Sequence, residues 1–235
     1  MAFLTAEWRK LAIANYEIAP SILQPFVPYG TELDHWKGTH YASLIGFRFL
    51  NTRVLGLPIP FHINFEEVNL RFYVRYKDQG EWKRGVVFIK EIVPKPAITF
   101  VANTLYGEHY ATHSMRHQWT EATNSRAVSY EWKIKGQWQR FAIEAAKDQS
   151  PIERNTEVEF ITEHYWGYTK VNETSTTEYE VTHPKWQQYK VHQYEIDVDF
   201  GLTYGQSFAW LNTARPKSVM LAEGSKITVE GKRSL

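Results

Sequence analysis

Residues 64 to 75 read NFEEVNLRFYVR, and the apolar side chains fall on every second position, at Val68, Leu70, Phe72 and Val74. Glu67, Asn69, Arg71 and Tyr73 take the alternate positions. A strand turns successive side chains to opposite faces, so this period of two separates an apolar face from a polar one. The polar face suits a sheet wetted by solvent, and it suits equally the lining of a barrel. YKDQGEWKRG then supplies a polar turn and GVVFIKEIV a second strand, which predicts an antiparallel hairpin over residues 62–92. Upstream, THYASLIGFRFLNTRVL is rich in β-branched and aromatic residues until the prolines of LGLPIP stop it, predicting a strand over 39–55 and then a loop.

In AITFVANTL, Ile98, Val101, Ala102 and Leu105 recur at helical spacing and Gly107 follows as a natural stop, so a short helix is expected there. HYATHSMRHQW returns to an extended pattern, and AVSYEWKI with QWQRFAIEAA predicts a hairpin turning at Lys135 and Gly136. Thr156 and Glu159 have the spacing of a capping box for EVEFITEHYW, a second helix whose run Gly167 is expected to end. STTEYEVTHP and KVHQYEIDVDFG read as strands and FAWLN as a brief helical turn. SVMLAEGSKITVEG is expected to close the chain as a hairpin turning near Glu223, Gly224 and Ser225. Many strands with few short helices predict one mainly β domain over residues 1–235, a barrel rather than a sandwich because closure hides the sheet edges.

Charge and composition remove several classes of function. With 27 Lys and Arg against 26 Asp and Glu, the net charge is +1 and no basic stripe forms, which speaks against nucleic acid as a partner. Glu7 and Arg9 interrupt the apolar stretches of the N-terminus and no window approaches a membrane span, so a soluble cytoplasmic protein without a membrane partner is expected. With no cysteine there is no thiol nucleophile, disulfide or thiolate metal site. Neither a G-x-G-x-x-G nor a phosphate loop is present, so no cofactor is expected, and the serine-hydrolase elbow G-x-S-x-G is missing too. His109, His113 and His117 stand four residues apart; on a strand that is about 13 Å, too far for two ligands of one ion, so no metal site is assigned. Lys90 is embedded in the apolar strand VVFIKEIV, where the neighbouring Glu91 reads as an ordinary charged strand end. Aromatic residues make up 15% of the chain, a bias that suits β surfaces and large concave cavities.

YEIAPSILQPFVPYGTELD, FEEVNLRFYV, GVVFIKEIVPKPAITFVANTLYGEHY, FITEHYWGYT and SVMLAEGSKITV, taken in order, resemble the acetoacetate decarboxylase superfamily, and within it the YqjF-like branch, a family of unknown function. The resemblance covers most of the chain. It implies a mainly antiparallel, cone-shaped β-barrel wrapped by additional sheet, with the active cavity inside. Decarboxylation in that family needs tandem lysines, one of which forms an imine with a keto acid. The corresponding positions here are His109 and Tyr110, or one residue away, and neither register supplies a lysine. Imine chemistry is therefore excluded at this position, whereas the family's pocket glutamate does match, at Glu67.

If the implied fold holds, Glu67, Asn69, Arg71 and Tyr73 line the cavity, and Glu67 and Arg71 are expected to pair so that neither is a bare buried charge. The alternative is that this face is solvated or that the pair satisfies only itself. As an enzyme, the protein would use Glu67 as acid or base, Arg71 to hold a carboxylate or enolate oxygen, and Tyr110 or His109 to donate a proton. Asn69, Tyr73 and Asn103 complete the expected ligand-binding set. The expectation is a barrel that binds a small molecule, acting on a carboxylate or carbonyl compound without a Schiff base; the alternative is a non-catalytic ligand sensor or interaction protein. Homo-oligomerisation is left open.

Overall fold

The two faces of the strand at 64–75 are each covered, and the fold follows from how. The computed structural model describes residues 2–235, apart from the side chain of Tyr106. Its strands are β1 (Leu4–Glu17), β2 (Thr31–Leu33), β3 (Tyr41–Val54), β4 (Leu57–Pro58), β5 (Phe65–Asp78), β6 (Glu81–Val93), β7 (Tyr110–Thr112), β8 (Met115–Glu121), β9 (Ser125–Ile134), β10 (Gln137–Pro151), β11 (Trp166–Asn172), β12 (Ser175–Thr182), β13 (Gln187–Asp197), β14 (Ser218–Val229) and β15 (Arg233–Ser234). The short helices are α1 (Pro20–Leu23), α2 (Pro96–Val101), α3 (Glu157–Thr162) and α4 (Phe200–Tyr204). Among the described residues no helix is long and apolar enough to cross a membrane.

The strands join edge to edge in the order β14-β1-β3-β5-β6-β11-β12, and β12 meets β14 again at Val181↔Val229 and Thr182↔Thr228, so the sheet closes into a ring. Pairing is antiparallel except where β6 meets β7 and β11. From β14 the sheet continues outward through β13, β10, β9 and β8, and this second layer covers the ring. Val68, Leu70, Phe72 and Val74 point outward into the space between the layers, where they pack in one core with Tyr130, Trp132 and Phe141. Each such side chain removed from water contributes about 1.5–3 kcal/mol. Glu67, Asn69, Arg71 and Tyr73 are buried by the opposite face, inside the ring. The fold is therefore the mainly β, doubly layered barrel that the pattern and the resemblance implied.

A bulge in β6 decides which side chains enter the ring. Leu70 pairs with Lys90 but Arg71 pairs with Phe88, leaving Ile89 extra. The alternation that starts at Val86 and Phe88 slips by one residue there. Lys90 turns outward, and its Nζ donates to the carbonyl of Thr203 in α4. Glu91 turns inward with its partner Asn69.

Two helices form where the pattern placed them, with changed ends. α2 runs into a π-helical turn over Ala102–Tyr106, and Gly107, at φ +71°, stops it. In α3 the Thr156 hydroxyl accepts from the Glu159 amide at 3.2 Å, and Glu159 Oε2 accepts from the Asn155 amide at 2.8 Å. The helix ends at Thr162 rather than at Gly167, because the chain leaves it to pair Trp166 and Gly167 with β6. Gly167 has a different duty: a Cβ there would lie 2.1 Å from the Tyr179 ring that crosses it.

The expected closing hairpin does not form. Residues 218–229 make one strand, β14, paired with β1 on both sides of Gly224. Turn-forming composition is spent instead on a local kink: Gly224 has φ +81°, and a Cβ would meet the Trp8 carbonyl oxygen at 2.0 Å. Glu223 is held by Lys10 Nζ at 2.5 Å, and Ser225 Oγ accepts from Trp186 Nε1 at 3.0 Å. Gly224→Ala is expected to lower the denaturation midpoint by a stability loss of about 2 kcal/mol or more, since both backbone angle and space oppose it. Gly231→Ala, with open space around it, is the control and should change stability by less than about 0.5 kcal/mol. Equal effects in the two variants would contradict the kink's role.

Candidate functional site

The ring encloses a cavity of about 240 Å³. Most of its wall is apolar, with Trp8, Phe47, Phe65, Phe88, Trp166 and Trp186 contributing from β1, β3, β5, β6, β11 and the approach to β13. Ile59, Ile98 and Val101 line it from the loop after β4 and from α2. A small set of polar groups set in an apolar concave wall is the usual make-up of a small-molecule site.

Three carboxyl groups share this space. Glu67 and Glu91 enter from adjacent strands, and Glu108 enters from the segment between the π-helical turn and β7. All three are buried. Glu67 Oε1 accepts from Asn69 Nδ2 at 2.9 Å and Oε2 from the Tyr110 hydroxyl at 3.1 Å. Glu108 Oε1 accepts from Thr169 Oγ1 at 2.8 Å, and Tyr179 also hydrogen-bonds this carboxyl. Loss of hydration favours the neutral form of a carboxyl, and three together repel when charged. Burial raises the Glu67 pKa to about 7, with its two hydrogen bonds opposing the rise and the Glu108 charge adding to it. Burial likewise carries Glu108 to about 7 against the pull of Thr169 and Tyr179. Glu91 is pushed well above the carboxylate range by burial and then by Glu108 and Glu67. The cluster thus keeps protons near neutral pH. Burial and the surrounding carboxylates also push the Tyr110 phenol well up, so it remains a donor.

Arg71 lies farther along β5. Its Nη2 donates to the Ile161 carbonyl at 3.2 Å, and its guanidinium rests 5.6 Å from the centre of the Tyr73 ring. The expected Glu67–Arg71 pair is not formed. Four residues of strand separate the two by about 13 Å of rise, and Asn69 between them takes the Glu67 oxygen. Glu91 Oε2, Asn69 Oδ1, Arg71 Nε, Trp8 Nε1 and His164 Nδ1 have no hydrogen-bond partner within the protein although all five residues line the cavity.

The structure distributes the remaining sequence-derived candidates unequally. Tyr110 and Asn69 line the cavity with Glu67. Tyr73 is buried on the same face of β5, but its hydroxyl is 2.7 Å from Ser43 Oγ and its ring forms a floor beneath Arg71 rather than the cavity wall. Asn103 is exposed: its side chain clasps the backbone of Tyr110, accepting from the amide at 2.8 Å and donating to the carbonyl at 3.0 Å, which fixes Tyr110 instead of meeting a ligand. His109 is exposed and lies outside the cavity; only its carbonyl reaches inward, to the Glu91 amide at 3.1 Å. Lys90 faces away, and among the described residues no lysine lines the cavity. His117 meets Glu66 on the outer face, and no group of three carboxylate or imidazole side chains among the described residues is arranged to hold a metal ion. Glu91, Glu108, Tyr179 and His164 were not foreseen. Glu91 read as an ordinary charged strand end because alternation cannot register a bulge, and which way the others face is defined only by the closed ring.

The closed ring and its covering layer, built around three buried carboxyl groups, make an acetoacetate decarboxylase-like fold. The chain matches the DUF2071 family, described as an uncharacterized conserved protein, over residues 5–226, and it belongs to that family. It is 28% identical over 225 residues to the uncharacterized protein YqjF of Bacillus subtilis (strain 168), covering 91% of this chain and 88% of that one. Among solved structures, acetoacetate decarboxylase from Legionella pneumophila subsp. pneumophila str. Philadelphia 1 superposes with a TM-score of 0.67 at 13% identity, covering 99% of this chain and 86% of that one. An acetoacetate decarboxylase-like enzyme from Sphingomonas wittichii RW1 gives 0.68 at 12% identity, with coverage of 100% and 94%. The enduracididine biosynthesis enzyme MppR, complexed with pyruvate, gives 0.66 at 11%, with coverage of 100% and 91%.

The carboxyl cluster has a consequence for stability. Between pH 4.5 and about 7 the folded chain retains protons on Glu67 and Glu108 that the unfolded chain has released, so these groups weaken folding progressively as pH rises through that window. His164, whose pKa burial lowers to about 4, acts in the opposite sense, weakening folding as pH falls below its ordinary value of 6.5. A difference measurement isolates the carboxyl: Glu67→Gln should gain stability relative to the parent from pH 5 to pH 8, by up to about 3 kcal/mol in chemical denaturation. A relative gain that stays flat across this range would show that Glu67 is ionised throughout.

Proposed function

We propose that the chain binds a small organic acid or carbonyl compound inside the ring and, as an enzyme, acts on it by proton transfer without forming an imine. The observation that carries this reading is the set of three buried carboxyl groups around Tyr110 in a cavity which, among the described residues, no lysine lines. A neutral glutamic acid donates a hydrogen bond or proton to a carbonyl oxygen, and its ionised form accepts one. A pKa of about 7 makes both forms available at Glu67. Arg71 is the cation for a carboxylate or enolate oxygen. Tyr110, hydrogen-bonded to Glu67, is the proton donor in place of His109, whose ring is outside. The pyruvate bound by MppR, a protein of the same fold, supports a small keto acid as the first ligand to test.

Thermal shift against a panel containing pyruvate, acetoacetate and larger carboxylic acids and ketones is expected to find a stabilising ligand, worth about 2.7 kcal/mol at a hundredfold excess over Kd. Glu67→Gln should keep the fold and lose at least about a hundredfold in turnover of that ligand. Borohydride with pyruvate or acetoacetate should leave the protein's mass unchanged; an adduct on any lysine would refute imine-free chemistry. Binding with no turnover in either form would assign the cavity to ligand sensing instead.

A further inference from the structure

The apolar wall of the cavity continues onto the protein surface. Ile59 and Val101 line the cavity, one from the loop after β4 and the other from α2, and both also face solvent, with 42% and 40% of their surface exposed. They belong to a larger apolar patch. Of thirteen large apolar side chains exposed among the described residues, seven lie in two segments, 55–61 and 100–105, with Phe61 and Phe100 the most exposed. The backbone of Phe61 is left-handed, at φ +65°, a conformation that residues with a Cβ rarely adopt. Apolar residues scattered singly over a surface need no explanation, but a group of them at the rim of a cavity marks a place where something apolar binds.

The wall inside indicates what that is. Leu4 opens β1 and pairs with Val54 and Val229 at the ends of β3 and β14. These three line the cavity at the end of the ring from which the loop carrying Ile59 departs. Trp8 pairs with Phe49, and Phe49 with Phe65, to form a second apolar tier deeper in the ring. Four residues of β1 separate the two tiers by about 13 Å. The carboxyl cluster begins at Glu67, the next residue after Phe65 on the same face of β5. Pyruvate or acetoacetate held at that cluster would leave most of this strip bare. A second copy of the chain laid over the rim would cover Phe61 and Phe100 and leave the inner tiers as they are. An alkyl chain attached to the acid or ketone covers both in one line.

We propose that the ligand of this cavity carries an alkyl tail. Its carboxyl or carbonyl head meets the Glu67 and Tyr110 end, and the tail runs past the Trp8 and Phe49 tier, then past Leu4, Val54 and Val229, to leave between Ile59 and Val101. Such a tail is held by removal of apolar surface from water, which grows with its length and demands no fixed orientation. This assignment rests on the reading of the cavity as a site for an organic acid or carbonyl compound and adds the tail.

Calorimetry on the full chain tests it, with the straight-chain acids from butanoate to decanoate below their micelle concentrations, the 2-alkanones of the same lengths, and pyruvate. In at least one series affinity is expected to rise about fourfold with each added methylene, the effect of burying it. Ile59→Ser and Val101→Ser, both at exposed positions, should each lower the ratio of longest-chain to shortest-chain affinity in that series by about fivefold or more. Carbon-13 methyl spectra of the parent protein, which need no variant, should show the Ile59 and Val101 signals moving with the longest ligand and not with the shortest. Binding of pyruvate alone, an affinity independent of chain length, or a length dependence that both variants keep would overturn the tail and leave the acid or carbonyl reading standing. Self-association in sedimentation that Phe61→Ser abolishes, without any dependence on chain length, would give the rim to a second copy and overturn the tail likewise. Failure of both series and of pyruvate to bind would overturn both.

Discussion

Removing carboxyl groups from water is the constraint on which the interior of this protein depends. Glu67, Glu91 and Glu108 lie inside a closed ring whose walls are largely aromatic, where full ionisation of all three would be prohibitively costly. The chain resolves this by protonation and by donors from Tyr110, Asn69, Thr169 and Tyr179, with no lysine among the described residues that line the cavity. Each donor belongs to a different part of the fold, so the cluster exists only once the ring is assembled. Asn103 illustrates the depth of support: exposed itself, it holds the backbone of the tyrosine that caps Glu67.

Much of the fold was legible because its longest strands are regular. β5 declares both its faces through alternation, and what remained open, whether the polar face met solvent or a cavity, needed knowledge of what lay opposite. The misreadings have local causes. Glu223-Gly224-Ser225 has the composition of a turn, yet strand pairing on both sides keeps it extended apart from one left-handed residue. Gly167 looked like a helix stop and is a gap for the Tyr179 ring. Of the candidate site, the part on β5 could be read with its strand, together with Tyr110. The other half could not, because a single extra residue, Ile89, exchanges a lysine for a glutamate at the cavity wall.

That exchange sets which side chains this fold turns toward its interior. Solved structures with this architecture include acetoacetate decarboxylase, and the likeness at 13% identity concerns the arrangement of the chain. Here Lys90 is turned outward and bound to the carbonyl of Thr203, while the Tyr110 phenol donates to Glu67 inside the ring.

The ring is not equally strong around its circumference. β3 and β5 run together from Ala42↔Phe72 to Phe49↔Phe65, but among the described residues the β11–β12 hairpin has short ladders, to β6 at Trp166 and Gly167 with Tyr165 donating to Arg84, and to β14 at Val181 and Thr182 with Glu230 donating to Glu180. Tyr179, laid across its cross-strand partner Gly167, holds the hairpin's own two strands together. Such a panel parts from its frame by breaking few amide bonds, so slow solvent access to the chamber is least obstructed along its two margins.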